Sequence, residues 1–358
     1  MTILYAILSE TFPVLFSGGI FMETYTIKDI ARIAGVSVTT VSRVLNRRPD
    51  VNQATRKKVE QVIAECNFVG NVNARGLKQG SEVIGVVIRG KNNPFLNSLA
   101  EAILSRADSF PNSFLTEYID ERDDEFEAAL RITRQNRVKG IIFVGSLIDE
   151  RVRAIRGLDI PIVFTTVNAK NASLPNASSV AIDDMAMGRV VAEFLLDKGH
   201  RKIAVFGSNP VAGDSLAMRF QGFCEVFSER GLTFDQDYYF ETRFSFQSGY
   251  ENAVTFLETH PDTTAIFAMS DTVAVGAVRA IIDMGMSVPD DISVFGFDGI
   301  DICKFTNPRL STVEQPVAEI ARRSVSILLD MIDNKAEPCH IIVDSSIVQR
   351  ESVATARQ

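Results

Sequence analysis

The chain has 358 residues, 46% of them apolar and 23% charged, with a formal net charge of −8. That length accommodates two or three domains around a large core, and the composition is that of a globular protein, not a disordered or disulfide-stapled one. No apolar run reaches the roughly 20 residues that cross a bilayer, and the four scattered cysteines, Cys66, Cys224, Cys303 and Cys339, form no CxxC pair and read as reduced thiols with no metal site.

The first 21 residues are mostly apolar, lack Lys and Arg, and are interrupted by Glu10 and Pro13. A secretory signal needs a positive start, so export is not expected, and the breaks disfavour a membrane helix. The segment reads as a non-native extension ahead of a true start at Met22, with the codons of Ser17-Gly18-Gly19 able to spell a ribosome-binding site. Peptide mapping of the N-terminus decides this.

A small helical head is expected over 24–69. Thr26 precedes an apolar face at Ile27, Ile30, Ala31 and Ala34, with Asp29 at capping-box spacing. Gly35 ends this helix. Ser37 caps a second, Val38 to Leu45, with Val41, Val44 and Leu45 inward and Val38, Thr39, Ser42 and Arg43 outward. Two short helices joined by so tight a turn make a helix-turn-helix. In a major groove, Arg43 can fork onto guanine while Val38 and Thr39 touch thymine methyls; Thr40 and Ser42 suit phosphates. A third helix, about Gln53 to Cys66, completes the core with Val59, Val62 and Ile63. Residues 26–80 carry ten basic and four acidic side chains, a local +6 against −14 for the rest. A basic head on an acidic body fits DNA binding at one end, although charge alone leaves a solvated helical face open.

Residues 70–80 read as a hinge or linker, and 82–350 as the body. Apolar segments at Val83–Ile88, Gly140–Val144, Ile162–Thr165, Ile203–Gly207, Ala265–Met269 and Ser293–Phe297 alternate with helical stretches, the rhythm of doubly wound parallel sheets. Ligands in such sheets sit beyond the carboxyl ends of the strands. No GxGxxG follows a strand and no P-loop lysine motif occurs, so no nucleotide cofactor is expected. The three histidines, His200, His260 and His340, form no acid–base constellation, which counts against an enzyme. A solute-binding protein for transport would share the body but have no use for the head.

The helix-turn-helix stretch, the segment Asn71 to Lys78, Asn92-Asn93-Pro94-Phe95, Asp183-Asp184, Gly199 to Ile203, Arg219 with Gly222, Ser270-Asp271, Gly296-Phe297-Asp298 and Gln315 together resemble the LacI/GalR family of bacterial transcription regulators. The likeness spans nearly the whole chain after Met22. It implies a body like the periplasmic sugar-binding proteins. Two lobes, about 82–181 plus 317–340 and 182–316 plus 341–358, would be joined by three crossings around an effector cleft. It implies operator contacts from Thr26, Asn46 and Asn71 as well as the second helix. It also implies a hinge helix in which Leu77, with Ala74 beside it, wedges into the minor groove. Its effector ligands would be Asn93, Phe95, Thr166 (where many relatives carry an acid), Arg219, Phe244 as an aromatic wall, Asp271, Asp298 and Gln315. Two of these have plainer alternatives: a structural Arg219–Asp298 ion pair, and Phe244 as core; His200 reads as structural. The family implies a cytoplasmic homodimeric repressor on a palindromic operator, switched by a small molecule, with no metal or cofactor. No leucine heptad closes the chain, so a dimer is expected over a zippered tetramer.

Overall fold

The computed structural model describes residues 27–45, 51–65, 83–106, 113–208 and 214–357. The chain divides into two compact units, one up to Arg75 and one from Gly76. Thr26, Asn46, Cys66, Asn71, Ala74 and Leu77, the segment before Met22 and the hinge 70–80 lie outside the described residues.

The first unit contains helices α1 (Ile27–Ala34), α2 (Val38–Leu45) and α3 (Gln53–Glu65). Gly35, at φ 63°, turns the chain out of α1, and the Val36 amide returns to the Ala31 carbonyl at 3.0 Å, a glycine-based helix stop. The Ser37 hydroxyl then accepts the Thr40 amide at 3.1 Å, starting α2. Asn52 caps α3 in the same way through the Ala54 amide, 2.8 Å. Ile30, Ala31, Ala34, Val41, Val44, Val59 and Val62 form its core.

The second unit is two doubly wound lobes. Its elements are β1 (Val83–Arg89), α4 (Pro94–Leu104), β2 (Ser113–Ile119), α5 (Glu125–Gln135), β3 (Val138–Val144), β4 (Ile162–Thr165), β5 (Ala177–Ala181), α6 (Asp184–Asp197), β6 (Ile203–Gly207), α7 (Ser215–Glu229), β7 (Tyr239–Glu241), α8 (Phe246–Thr259), β8 (Ala265–Ala268), α9 (Asp271–Asp283), β9 (Ser293–Asp298), β10 (Ser311–Glu314), α10 (Val317–Asp333), β11 (His340–Ile342) and β12 (Ser346–Val348). One sheet runs β2-β1-β3-β4-β5-β11 and the other β7-β6-β8-β9-β10-β12. The described pairings are parallel except β10 with β12. The chain crosses between lobes after β5, after β10 and between β11 and β12. β11 carries the amino lobe to Ile342, so residues 341 and 342, expected in the carboxyl lobe, belong to the amino lobe: their partners are Val180 and Ala181 of β5.

Each sheet reverses its winding between its first and third strands, β1 and β3 in one and β6 and β8 in the other. Such switch points open crevices at the carboxyl ends of the strands. The central strands are buried on both faces, with Phe143, Phe164, Phe206, Phe267, Phe295 and Phe297 fully enclosed. Helices α6 and α7 cross at backbone contact. A Cβ at Gly188 would land on the Arg219 carbonyl oxygen, and one at Gly222 on that of Met185.

Candidate functional site

Between the lobes of the second unit lies a cleft of about 960 Å³. Strand ends supply much of it: Arg89 closes β1, Ser146 follows β3, Thr166 follows β4, Ser270 follows β8 and Asp298 closes β9. Of the expected ligands, Asn93, Phe95, Thr166, Arg219, Phe244 and Asp298 line it. Phe244 is only half-buried while the core phenylalanines are enclosed, which places it on the wall.

Asn93 has a local task as well: its side-chain oxygen caps α4, accepting the amides of Phe95 at 3.0 Å and Leu96 at 3.3 Å. Thr166 and Asp298 both adopt left-handed backbone angles, φ 72° and 121°. Non-glycine residues persist there only when their surroundings hold them, and such strain gathers at ligand sites.

Arg219 does not pair directly with Asp298. Its Nε donates to Asp184 Oδ1 at 2.7 Å and its Nη1 to the Met269 carbonyl at 3.0 Å. Its guanidinium lies 3.6 Å over the Phe297 ring. The alternative of a structural Arg219–Asp298 pair is thus replaced by Arg219–Asp184, made possible by the glycine crossing of α6 and α7. The guanidinium is held rigid on three sides, as a residue that orients a polar ligand must be.

Asp298 and Asp271 divide two roles. Asp271 accepts the amides of Gly299 at 2.6 Å and Ile300 at 2.9 Å and the Thr312 hydroxyl at 2.6 Å. It is fully buried and absent from the cleft wall. The expectation of Asp271 as an effector contact is therefore corrected: its acceptor positions are spent on the turn that carries Asp298. Gln315 is likewise behind the wall, donating to Asp298 Oδ1 at 2.9 Å; it positions Asp298. Burial pushes the Asp298 carboxyl up to about 8, against the attraction of Arg219 and with the Asp271 charge adding to the rise. Burial raises the Asp271 carboxyl too, against the Thr312 hydroxyl and the Ile300 and Gly299 amides, so the two enclosed acids titrate as a pair.

Sequence reading missed several lining residues: Arg89, Ser146, Asp214, Ser215, Arg243 and Ser270. Their signal was position at a strand end or helix start, available by applying the strand-end rule to every strand. Two of them bridge the lobes. The Ser215 hydroxyl donates to the Thr166 carbonyl at 2.8 Å, and the Arg243 guanidinium pairs with Glu121 and, at 3.4 Å, with Asp120. His200 is part of the framework, its ring nitrogens 3.1 Å from Thr264 Oγ1 and from the Ala354 carbonyl.

In the first unit, α2 exposes Val38, Thr39 and Arg43, with Thr40 half-buried. The Thr40 hydroxyl lies 2.9 Å from that of Ser37, within the cap. Ser42 contributes its backbone to the same helix. Among the described residues, no cluster of three metal-ligating side chains occurs and no helix is long and apolar enough to cross a membrane.

Comparison with known proteins follows this division. Residues 26–71 match the model of "Bacterial regulatory proteins, lacI family", and residues 192–353 match a "Periplasmic binding protein-like domain". The regulator MalR of Clostridium butyricum is 34% identical over 333 residues, 91% of this chain and 98% of that protein. A Lac repressor dimer solved with operator and the anti-inducer ONPF superposes with a TM-score of 0.67 at 28% identity, covering 93% of this chain and all of that one (100%). A LacI family regulator from Enterococcus faecium with bound ribose gives 0.66 at 26% identity, over 77% of this chain and 100% of that one.

Proposed function

This chain belongs to the LacI family of bacterial transcription regulators, and we propose that it is a repressor that grips a pseudo-palindromic operator as a homodimer. It is switched by a sugar or sugar derivative held between the lobes, and it acts in the cytoplasm at the nucleoid. One observation carries the reading. Six side chains expected from the sequence as effector ligands, drawn from both lobes, converge on a single cleft, in a chain that also carries a capped helix-turn-helix.

The chemistry suits a polyol. The Arg219 guanidinium and the Asp298 carboxyl offer a donor and an acceptor for neighbouring hydroxyls. Phe244 covers an apolar ring face. A buried carboxyl left without its hydroxyl discriminates more strongly than a missing methylene. On the DNA side, Arg43, Val38 and Thr39 read base edges, Thr26, Thr40, Ser42 and Asn46 meet phosphates and neighbouring groups, and Asn71, Ala74 and Leu77 engage the hinge step. Effector and operator are coupled because each favours one arrangement of the paired lobes; a ligand with equal affinity for both would shift nothing. Coupling of about 1–3 kcal/mol is typical and changes operator affinity roughly 5- to 150-fold.

The test is fluorescence anisotropy of the full chain on fragments of its own upstream DNA, with a thermal-shift panel of sugars, sugar phosphates and nucleosides. Ligand binding should raise the melting temperature by mass action and change operator affinity. Indifference to every duplex at low ionic strength, with and without metabolites, removes the proposal.

A further inference from the structure

We propose that Arg243, with Glu121 and Asp120, is a strap that draws the mouth of the cleft shut through the protein's own charges, so that ionic strength tunes lobe closure whatever ligand the cleft takes.

The two ends of the strap belong to different lobes. Arg243 follows β7 and stands next to Phe244 on the cleft wall. Asp120 and Glu121 follow β2 of the amino lobe. All three side chains line the cleft. Arg243 Nε donates to Glu121 Oε1, and its Nη2 lies 3.4 Å from Asp120 Oδ1. One guanidinium thus answers two neighbouring carboxylates across the gap. Other charged pairs, such as Arg189–Glu229 and Arg309–Glu351, join elements of a single lobe and hold nothing that a hinge motion would part.

Both ends are braced. The Thr242 amide donates to the Gly207 carbonyl at 2.7 Å, and the Arg243 carbonyl accepts the Ser245 amide at 2.9 Å and the Thr242 hydroxyl at 3.1 Å. Opposite, Asp120 Oδ1 accepts the Arg122 amide at 3.2 Å, and the Asp120 amide donates to Asp123 Oδ2 at 2.9 Å. Aspartates bonded to nearby backbone in this way fix a turn. The Glu121 carbonyl accepts Arg89 Nη2, and the Gly90 amide donates to the Ile119 carbonyl at 2.9 Å. With both backbones held, only side-chain rotamers remain to be fixed when the charges meet.

The strap is tunable because it is wet. The Arg243 and Asp120 side chains are half exposed, and that of Glu121 is 29% exposed. An ion pair in such a place is weak and screened by salt. The second tie between the lobes, from the Ser215 hydroxyl to the Thr166 carbonyl at 2.8 Å, joins neutral groups and is indifferent to screening. Closure therefore has a salt-dependent part and a salt-independent part. A ligand that prefers the shut cleft finds more of it at low salt, so even an uncharged ligand binds more tightly there, with no need to touch Arg243.

The test follows closure with no effector added. Donor and acceptor dyes are coupled to keto-bearing residues introduced at Ser98 and Glu251, exposed on α4 and α8. The full chain is refolded to strip carried-over metabolites and diluted into unlabelled chain, so that energy transfer reports on one copy. Transfer should be high in about 0.01 M sodium chloride and fall toward about 1 M, as the screening length drops from about 30 to about 3 Å. Arg243→Gln should lower the closed-to-open ratio about fivefold at low salt and flatten the salt dependence. Glu121→Gln should act in the same direction. The charge swap, Arg243→Glu with Glu121→Arg, should restore both the transfer and its salt dependence, which separates a lost strap from a damaged fold. Wild-type transfer in Arg243→Gln at low salt overturns the proposal. So does an unaltered salt dependence in that variant, or a swap that transfers no better than either single change.

Discussion

Arg43 and Asp298 show what single side chains are asked to do. Arg43 projects from an exposed face of α2, where a fork onto guanine is worth about 1–3 kcal/mol of discrimination. Arg43→Ala should therefore cost roughly that much on the operator and flatten the preference for operator over shuffled DNA. An equal loss on both duplexes would make Arg43 a phosphate contact. Asp298 holds a proton up to about pH 8. A sugar hydroxyl donating to it favours the carboxylate, so binding an uncharged sugar releases a proton. Affinity for such a sugar should climb between pH 6 and 8, by at most about tenfold per unit, and Asp298→Asn should remove the slope in a calorimetric pH series. The unliganded protein follows the opposite sign. The folded state keeps a proton that the unfolded chain gives up above about pH 4, so this group's stabilisation declines as pH rises toward 8. The residue scale was partly legible in the sequence. Asp298 and Arg219, named from their motif, line the cleft and Asp271 does not, because adjacency to a ligand position does not reveal which way a carboxylate turns. Arg89 was missed because a charged residue closing an apolar strand looks like ordinary punctuation.

At the level of helices and strands, the α6–α7 crossing governs the cleft. Alanine normally improves a helix interior over glycine by up to about 1 kcal/mol. At Gly188 the new methyl meets the Arg219 carbonyl, and overpacking costs about 1–3 kcal/mol. Gly188→Ala should therefore lower the urea midpoint, and it should weaken effector binding too, since separating the helices parts Arg219 from Asp184. A midpoint at or above wild type would show that the helices slide apart freely. The sequence displayed Gly222 beside Arg219 without its reason, since a helix crossing is a long-range fact. Strands followed the same logic. β1, β3, β4, β6, β8 and β9 are apolar runs and were readable. β5, Ala177–Ala181, contains Ser178 and Ser179, which pass for loop residues. Both are buried and satisfied by β11 and its approach, Ser178 Oγ accepting the Cys339 amide at 3.0 Å and Ser179 Oγ lying 2.8 Å from His340 Nδ1. The remote partner that makes them a strand leaves no local mark.

For the whole molecule, an exposed apolar face makes assembly testable. Ile302 is 42% and Phe305 80% exposed on the carboxyl lobe, an apolar pair that a homodimer would cover. If the proposed homodimer uses this face, Phe305→Glu should shift the sedimentation profile from dimer toward monomer and weaken binding to the proposed operator while leaving the fold's circular dichroism intact. An unchanged dimer would move the interface elsewhere. The two-lobed body and helical head were legible because binary pattern and caps repeat over many residues. The segment before Met22, read from its composition, and the hinge positions Ala74 and Leu77, read from the family resemblance, lie outside the described residues.

The edge strands β11 and β12 follow each other closely after α10, yet each completes a different sheet, pairing β5 in one and β10 in the other. During synthesis, then, neither lobe can finish until its own edge strand, β11 or β12, has left the ribosome. A product stopped just after α10 would leave both sheets open at one side, inviting another nascent copy to add its own strand. Premature termination in this gene should yield insoluble material, not a shortened regulator with one working half.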